Sequence, residues 1–139
     1  MNPAVTAEEL QALLSHENAF TRPFGFRVEL AEDGVCTLDV PFRREWERPG
    51  GIVSGIVFMT AADVAMWLAI KTRSGLADPS VTSHMQTSFL QSARGEGFLC
   101  RAKVLRSGRR TTYGEASCLT KAGTLLTHHT LTYVRPDAG

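Results

Sequence analysis

At 139 residues the chain is long enough to bury one hydrophobic core and short for two, so a single domain over residues 1–139 is expected. Fifteen Lys and Arg against fourteen Asp and Glu leave a net charge of +1, with a pI near 7.8. With no basic stripe interleaved with aromatics, that balance argues against nucleic acid as the main partner.

Thr6-x-x-Glu9 has the pattern of a capping box and predicts a short helix to about Ser15, with Leu10, Leu13 and Leu14 as its apolar stripe. No basic segment leads into an apolar run before it, so no secretory leader is expected and the cytoplasm is the expected compartment. Phe20–Gly25 is a connector containing Pro23 and Gly25. Phe26, Val28 and Leu30 then alternate with Arg27 and Glu29, the period of a half-buried strand. The turn Glu32-Asp33-Gly34 leads into a second strand, Val35–Phe42, which closes a hairpin. Arg43–Arg48 is a charged loop around Trp46.

The rest must be arranged around Arg48–Arg73. Pro49, Gly50 and Gly51 open it, and it runs apolar from Ile52 to Ile70, broken by Ser54, Gly55, Thr60 and a single charge, Asp63. It is too long for one strand, and its Ala, Met and Leu favour helix. Lys71 and Arg73 suit a helix C-terminus, and Ser74-Gly75 a stop. A helix apolar on every side must be covered by protein or by lipid. About 19 apolar residues approach the length of a membrane span, where Asp63 would cost roughly 2.5–3.5 kcal/mol. The strand-like segments that follow decide for protein, and no membrane partner is expected.

Beyond the loop Gly75–Ser80, which contains Pro79, those segments are Val81–Gln91, Phe98–Arg106, Thr111–Thr120 and Thr124–Arg135. Lys121-Ala122-Gly123 joins the last two as a hairpin turn. Cys36, Cys100 and Cys118 each fall in a strand-like segment without CxxC spacing, as reduced core thiols do. Helix, two strands, long helix and four strands fit an α+β architecture, one antiparallel sheet curled around one central helix.

That order, with its central stretch, resembles the hotdog-fold thioesterases, in particular the phenylacetate-pathway (PaaI-like) branch of acyl-CoA thioesterases, over about residues 25–136. The family reads Asn-x-x-Gly-x-x-His-Gly-Gly, then Asp or Glu several residues into the helix. Here Arg48, Gly51, Ser54, Gly55, Ile56 and Asp63 occupy those places, and Thr82 and Phe89-Leu90 match the strand that leaves the helix. Arg48 replaces the usual Asn, Ser54 the His and Ile56 the second Gly. Trp67 stands where related enzymes often carry a small or hydroxyl residue near the attacking water. The resemblance implies hydrolysis of an acyl-CoA thioester without a metal or redox cofactor, at paired sites between the protomers of a homodimer or dimer of dimers.

The residues support some of this independently. Gly55 falls at or just before the first helical turn, where unpaired N–H groups carry the positive end of the dipole. Those groups would polarise a thioester carbonyl and stabilise its oxyanion; alternatively Gly50, Gly51 and Gly55 make a tight turn and let the helix pack. Asp63 is the residue hardest to explain as structure, because a carboxylate in an apolar helix is costly unless paired or facing water. It is either a structural group bonded to Arg48 or a hydroxyl, or a cleft carboxylate acting as general base or nucleophile. Gly55 and Asp63 lie about 12 Å apart along a helix, too far to reach one thioester carbon together, so if both act they come from different protomers.

Ser54 suits a helix N-cap better than a nucleophile, with no His or acid near it in sequence. Arg48 either orients the thioester carbonyl or is a solvated loop charge. Ile56 and Trp67 are candidate substrate contacts. Ser107, Arg109 and Arg110 belong to an arginine-rich turn, which is either the phosphate-binding end of a coenzyme A site or a solvated hairpin. His84, His128 and His129 lack ligand spacing and read as structural or surface residues. Two rivals remain: a non-catalytic acyl-CoA binding module, and a hydratase or dehydratase on the same fold. The second is disfavoured because no acid with a following His lies in the region that would carry that chemistry.

Overall fold

The computed structural model describes residues 3–17 and 20–136. In chain order its regular elements are α1 (Ala7–Ala12), β1 (Arg27–Glu32), β2 (Val35–Val40), β3 (Glu47–Arg48), β4 (Ile52–Val53), α2 (Gly55–Ser74), β5 (Val81–Phe89), β6 (Phe98–Ser107), β7 (Thr111–Leu119) and β8 (Leu125–Val134). Six strands form one antiparallel sheet in the order β1-β2-β6-β7-β8-β5, and β3 pairs with β4 in a separate two-stranded ribbon.

The sheet curls around α2. Although α2 is long and apolar enough to cross a bilayer, 67% of its most apolar window is buried inside the protein. Its cover comes from the alternating inward residues of the strands: Cys36, Leu38 and Val40 on β2, Phe98, Cys100, Ala102 and Val104 on β6, Ala116 and Cys118 on β7. All of these belong to one cluster with the buried residues of α2. The three cysteines are unpaired and buried, Cys100 directly opposite Cys118, and burial pushes the Cys36 thiol up to about 12.

The expected capping box is present. Thr6 Oγ1 accepts from Glu9 N at 3.2 Å, and Glu9 Oε1 accepts from Thr6 N at 3.1 Å. The helix it opens ends at Ala12, and the chain continues as a wider helical turn over Leu13–Glu17. β2 stops at Val40 rather than Phe42, because Pro41 has no N–H to give the ladder.

One expectation is corrected. Arg43–Arg48 is not simply a charged loop: Arg44–Trp46 makes one tight helical turn, and Arg48 pairs with Ile52 in the β3–β4 ribbon. Gly50 and Gly51, at φ +104° and +74°, make the reversal that this pairing needs, and α2 begins at Gly55 after Ser54, where the sequence reading places its first turn. Lys71 and Arg73 stand in the last turn of α2 as expected, and Lys71 is buried there. It is only 4% exposed, and its ammonium donates to the carbonyls of Leu76 (2.9 Å) and Asp78 (3.0 Å) while lying over the Trp67 ring. Desolvation lowers its pKa.

α2 packs tightly on the sheet at Gly114, where a Cβ would lie 2.3 Å from Met66 Cε and 2.7 Å from the Lys103 carbonyl oxygen. The thioether can shift, but the strand backbone cannot shift without breaking the β6–β7 pairing. Gly114→Ala is therefore expected to destabilise the fold by about 1–3 kcal/mol in urea denaturation, the usual cost of overpacking. A stability equal to that of the unsubstituted protein would mean that the approach is looser than these distances.

Candidate active site

Asp63 lies in the third turn of α2, on the side facing β5 and β8. Inward residues alternate along β8 as Thr127, His129, Leu131 and Tyr133, and Tyr133 is in register with Thr82 of β5. That pairing brings two hydroxyls to one carboxylate oxygen. Thr82 Oγ1 donates to Asp63 Oδ1 at 2.6 Å, and Tyr133 Oη lies 2.7 Å from both Oδ1 and the Asp63 carbonyl oxygen. Thr82 reaches the site because of a bulge between Thr82 and His84. Counting back from Phe89, Thr87 and Met85, strict alternation would turn Ser83 inward; the extra residue turns Thr82 inward instead.

Burial, reinforced by the Asp63 charge, pushes the Tyr133 phenol well above its ordinary range. Tyr133 therefore stays protonated and donates at every physiological pH. Asp63 Oδ2 carries no hydrogen bond among the described residues. The structural partner considered for Asp63, Arg48, is not its partner. The hydroxyl alternative is the one realised, yet one oxygen remains for chemistry.

Asp63 lines a cavity of about 530 Å³. Met59, Val64 and Trp67 of α2 and Val81 and Met85 of β5 make its apolar wall, and Phe20 stands at its margin, 70% exposed. Gly55 lines a different cavity, about 420 Å³, with Arg48, Ile52, Phe58, Phe89 and Leu90. Within one chain, Asp63 and Gly55 therefore do not share a site.

At the second cavity, Ser54 occupies the N-cap position expected of it, but its side chain makes no capping hydrogen bond. The Ser54 hydroxyl thus leaves the opening N–H groups of α2 uncapped. The packing explanation of Gly55 also holds, since a Cβ there would lie 2.9 Å from the Phe89 ring. Arg48 is exposed at this cavity, and Arg94, which sequence reasoning did not single out, ties the preceding turn by donating to the Gly50 carbonyl at 2.6 Å. Ile56 is 71% exposed on the helix surface and lines neither cavity.

The arginine turn lies elsewhere in the chain. Ser107 accepts from Arg73 Nη1 at 3.2 Å and lines a third cavity, about 150 Å³, at the C-terminal end of α2. Arg109 and Arg110 are exposed beside it. Ten residues separate Asp63 from Arg73, about 15 Å along the helix.

Tyr133 and Thr82 are the site residues that sequence reasoning missed. A signal for Tyr133 was available, because an inward tyrosine must find a partner for its hydroxyl. Of the histidines, His129 is fully buried, each ring nitrogen within 2.8 Å of a threonine hydroxyl (Thr87 and Thr127), His128 pairs with Glu115 and His84 is exposed.

A family model described as the thioesterase superfamily matches residues 50–127, more than half of the chain. A Sulfurisphaera tokodaii protein provisionally named as an esterase is 29% identical over 111 residues, 80% of this chain and 82% of its own length. A similarly named protein of Saccharolobus solfataricus is 30% identical over 108 residues, 78% of this chain and 71% of its own length. Zebrafish thioesterase superfamily member 2 superposes with a TM-score of 0.86 over 95% of this chain and 99% of its own, at 22% identity, a likeness of fold.

The Tyr133–Asp63 contact is a hydrogen bond to a charged acceptor, so Tyr133→Phe is expected to cost about 1.5–3 kcal/mol in denaturant unfolding. In an Asp63→Asn background the same change should cost about 0.5–1.5 kcal/mol, because the acceptor is then neutral. Equal costs in the two backgrounds would show that the pair is not coupled as its geometry requires.

Proposed function

The chain belongs to the thioesterase superfamily, and from that premise we propose that it hydrolyses an acyl-CoA thioester to the free acid and coenzyme A. The observation that carries the reading is Asp63: one carboxylate oxygen held by two hydroxyl donors, the other unbonded, in a cavity with an apolar wall. As general base, Asp63 takes a proton from water as the oxygen attacks the thioester carbon. The tetrahedral oxyanion then collapses, the C–S bond breaks, and the thiolate takes the proton back. As nucleophile, Asp63 attacks the carbon itself, and the C–S bond breaks to release the thiolate. Water then cleaves the resulting anhydride to the free acid and the Asp63 carboxylate, its proton passing to the thiolate. In either route the Thr82 and Tyr133 hydroxyls hold the carboxylate and supply no electrons.

The oxyanion is assigned to the Gly55 end of a second protomer's α2. Its first-turn N–H groups other than that of Val57, which donates to the Ser54 carbonyl at 3.0 Å, meet the developing charge, and Arg48 orients the carbonyl from the same side. Two features support a second copy. Gly55 and Asp63 open into separate cavities of one chain, and β5 is a sheet edge beside exposed Ile56, Met59, Val81, Phe89 and Leu90. A homodimer, or a dimer of dimers, covers that face and completes two sites at once. The Ser107, Arg109 and Arg110 turn is assigned to the nucleotide end of the coenzyme and Ile56 to the protomer contact. The phenylacetate-pathway branch and a cytoplasmic location, the latter supported by three unpaired buried thiols, belong to the same reading.

A second reading, an acyl-CoA binding module without turnover, draws on Arg48, Ser54 and Ile56, which stand where the resembled enzymes carry other residues. Release of free thiol from a panel of acyl-CoAs separates the two.

Asp63→Asn keeps the size of the side chain and removes the basic carboxylate. It is expected to lower kcat by roughly 10²–10⁴ and to leave binding of an unreactive acyl-CoA thioether nearly unchanged. Turnover near that of the unsubstituted protein in a destabilised variant would remove Asp63 from the chemistry. In sedimentation at micromolar concentration the protein is expected to run as a dimer or tetramer, and an active monomer would overturn the shared site.

A further inference from the structure

The Asp63 cavity follows one stripe of α2. Met59, Asp63 and Trp67 recur every fourth residue along it, and no helical residue beyond Trp67 reaches the cavity. What lies behind the indole is fixed. The Lys71 ammonium sits 4.8 Å from the Trp67 ring centre and is held by the Leu76 and Asp78 carbonyls. Asp78 is itself tied down, with Oδ1 accepting from Ser80 N at 2.8 Å and Oδ2 pairing with Arg135 at 3.0 Å. The loop that closes this end of the cavity is therefore pinned to α2 and to the end of β8, with the lysine between them. The indole is therefore backed by a cation that is itself held in place.

Resting on the hydrolase reading of Asp63, we propose that Trp67 is the end wall of the acyl compartment and confines the substrate to short acyl groups. Four residues separate Asp63 from Trp67, about 6 Å of helix rise. Helical side chains also lean toward the N-terminus, so the indole leans over the turn that carries the carboxylate. Between the reacting carbon and the ring there is space for only a few carbons. Besides Trp67 the cavity is lined by Phe20, Met59, Val64, Val81 and Met85, with the Thr21 and Ser80 side chains buried. Such a surface rewards hydrocarbon and offers little to the amides of a pantetheine arm, which places the acyl group here.

The test uses the full chain and its Trp67→Phe and Trp67→Leu variants, with thiol release measured on saturated acyl-CoAs from acetyl to palmitoyl. The readout is the ratio of kcat/KM for decanoyl-CoA to that for butyryl-CoA, which is insensitive to a general loss of activity. The unsubstituted protein should favour butyryl-CoA, and the ratio should rise about tenfold or more across the series Trp, Phe, Leu. Trp67→Phe keeps an aromatic ring against Lys71 and guards against a folding failure in the leucine variant. A ratio unchanged in folded variants would overturn the wall. If the unsubstituted protein hydrolyses no acyl-CoA of any length, the hydrolase reading falls, and the wall is judged by calorimetric binding of butyl-CoA and decyl-CoA thioethers. The same tenfold change in their Kd ratio supports it; an unchanged ratio overturns it.

Discussion

α2 has no polar face, and that constraint shapes the rest of the molecule. A helix apolar on every side needs cover on every side, and a single sheet cannot enclose it fully. Where β2, β6 and β7 face it, the cover is close enough that a Cβ on Gly114 would collide with Met66. Toward β5 the sheet ends, and Ile56 and Met59 are left exposed beside an unpaired strand edge. Both large cavities open along this flank. The candidate chemistry therefore sits where the cover of the helix runs out, which is also where a second copy is best able to supply it.

Asp63 makes that flank more than a gap. A lone carboxylate among apolar neighbours loses its hydration, and the fold offsets the loss with two hydroxyl donors on one oxygen. Burial holds the proton on Tyr133, which is the donor of the pair. The structural reading of Asp63 thus accounts for one of its two oxygens. One is committed to the fold, and the other carries no protein bond among the described residues.

The buried lysine has a comparable role a single helical turn beyond Trp67. An ammonium between two carbonyls and an indole face is a costly arrangement unless all its contacts are made. Made together, they lock the loop after α2 against the helix and hold Trp67 at the end of the cavity. The cation expected at the C-terminus of α2 stands there buried, with its ammonium over the Trp67 ring.

The sequence alone determined the elements whose signals are local. The Thr6–Glu9 capping box, the Asp33-Gly34 turn, the alternation of β6 and the apolar run of α2 depend on neighbours within a few residues, and each stands close to its expected place. Asp63 was legible for a related reason, since one charge in an apolar helix is anomalous wherever the helix packs. Tertiary structure decided what depends on register and on reach across the fold. The bulge that turns Thr82 inward, the β8 pairing that brings Tyr133 to the same oxygen and the use of Ile52–Val53 as ribbon rather than helix leave no periodic trace. The same holds for the place of the Ser107–Arg110 turn near the C-terminal end of α2, whereas the separation of Gly55 from Asp63 already follows from helix rise. A strand specifies which residues alternate, but a one-residue slip exchanges its faces, and only the partner strand sets the register.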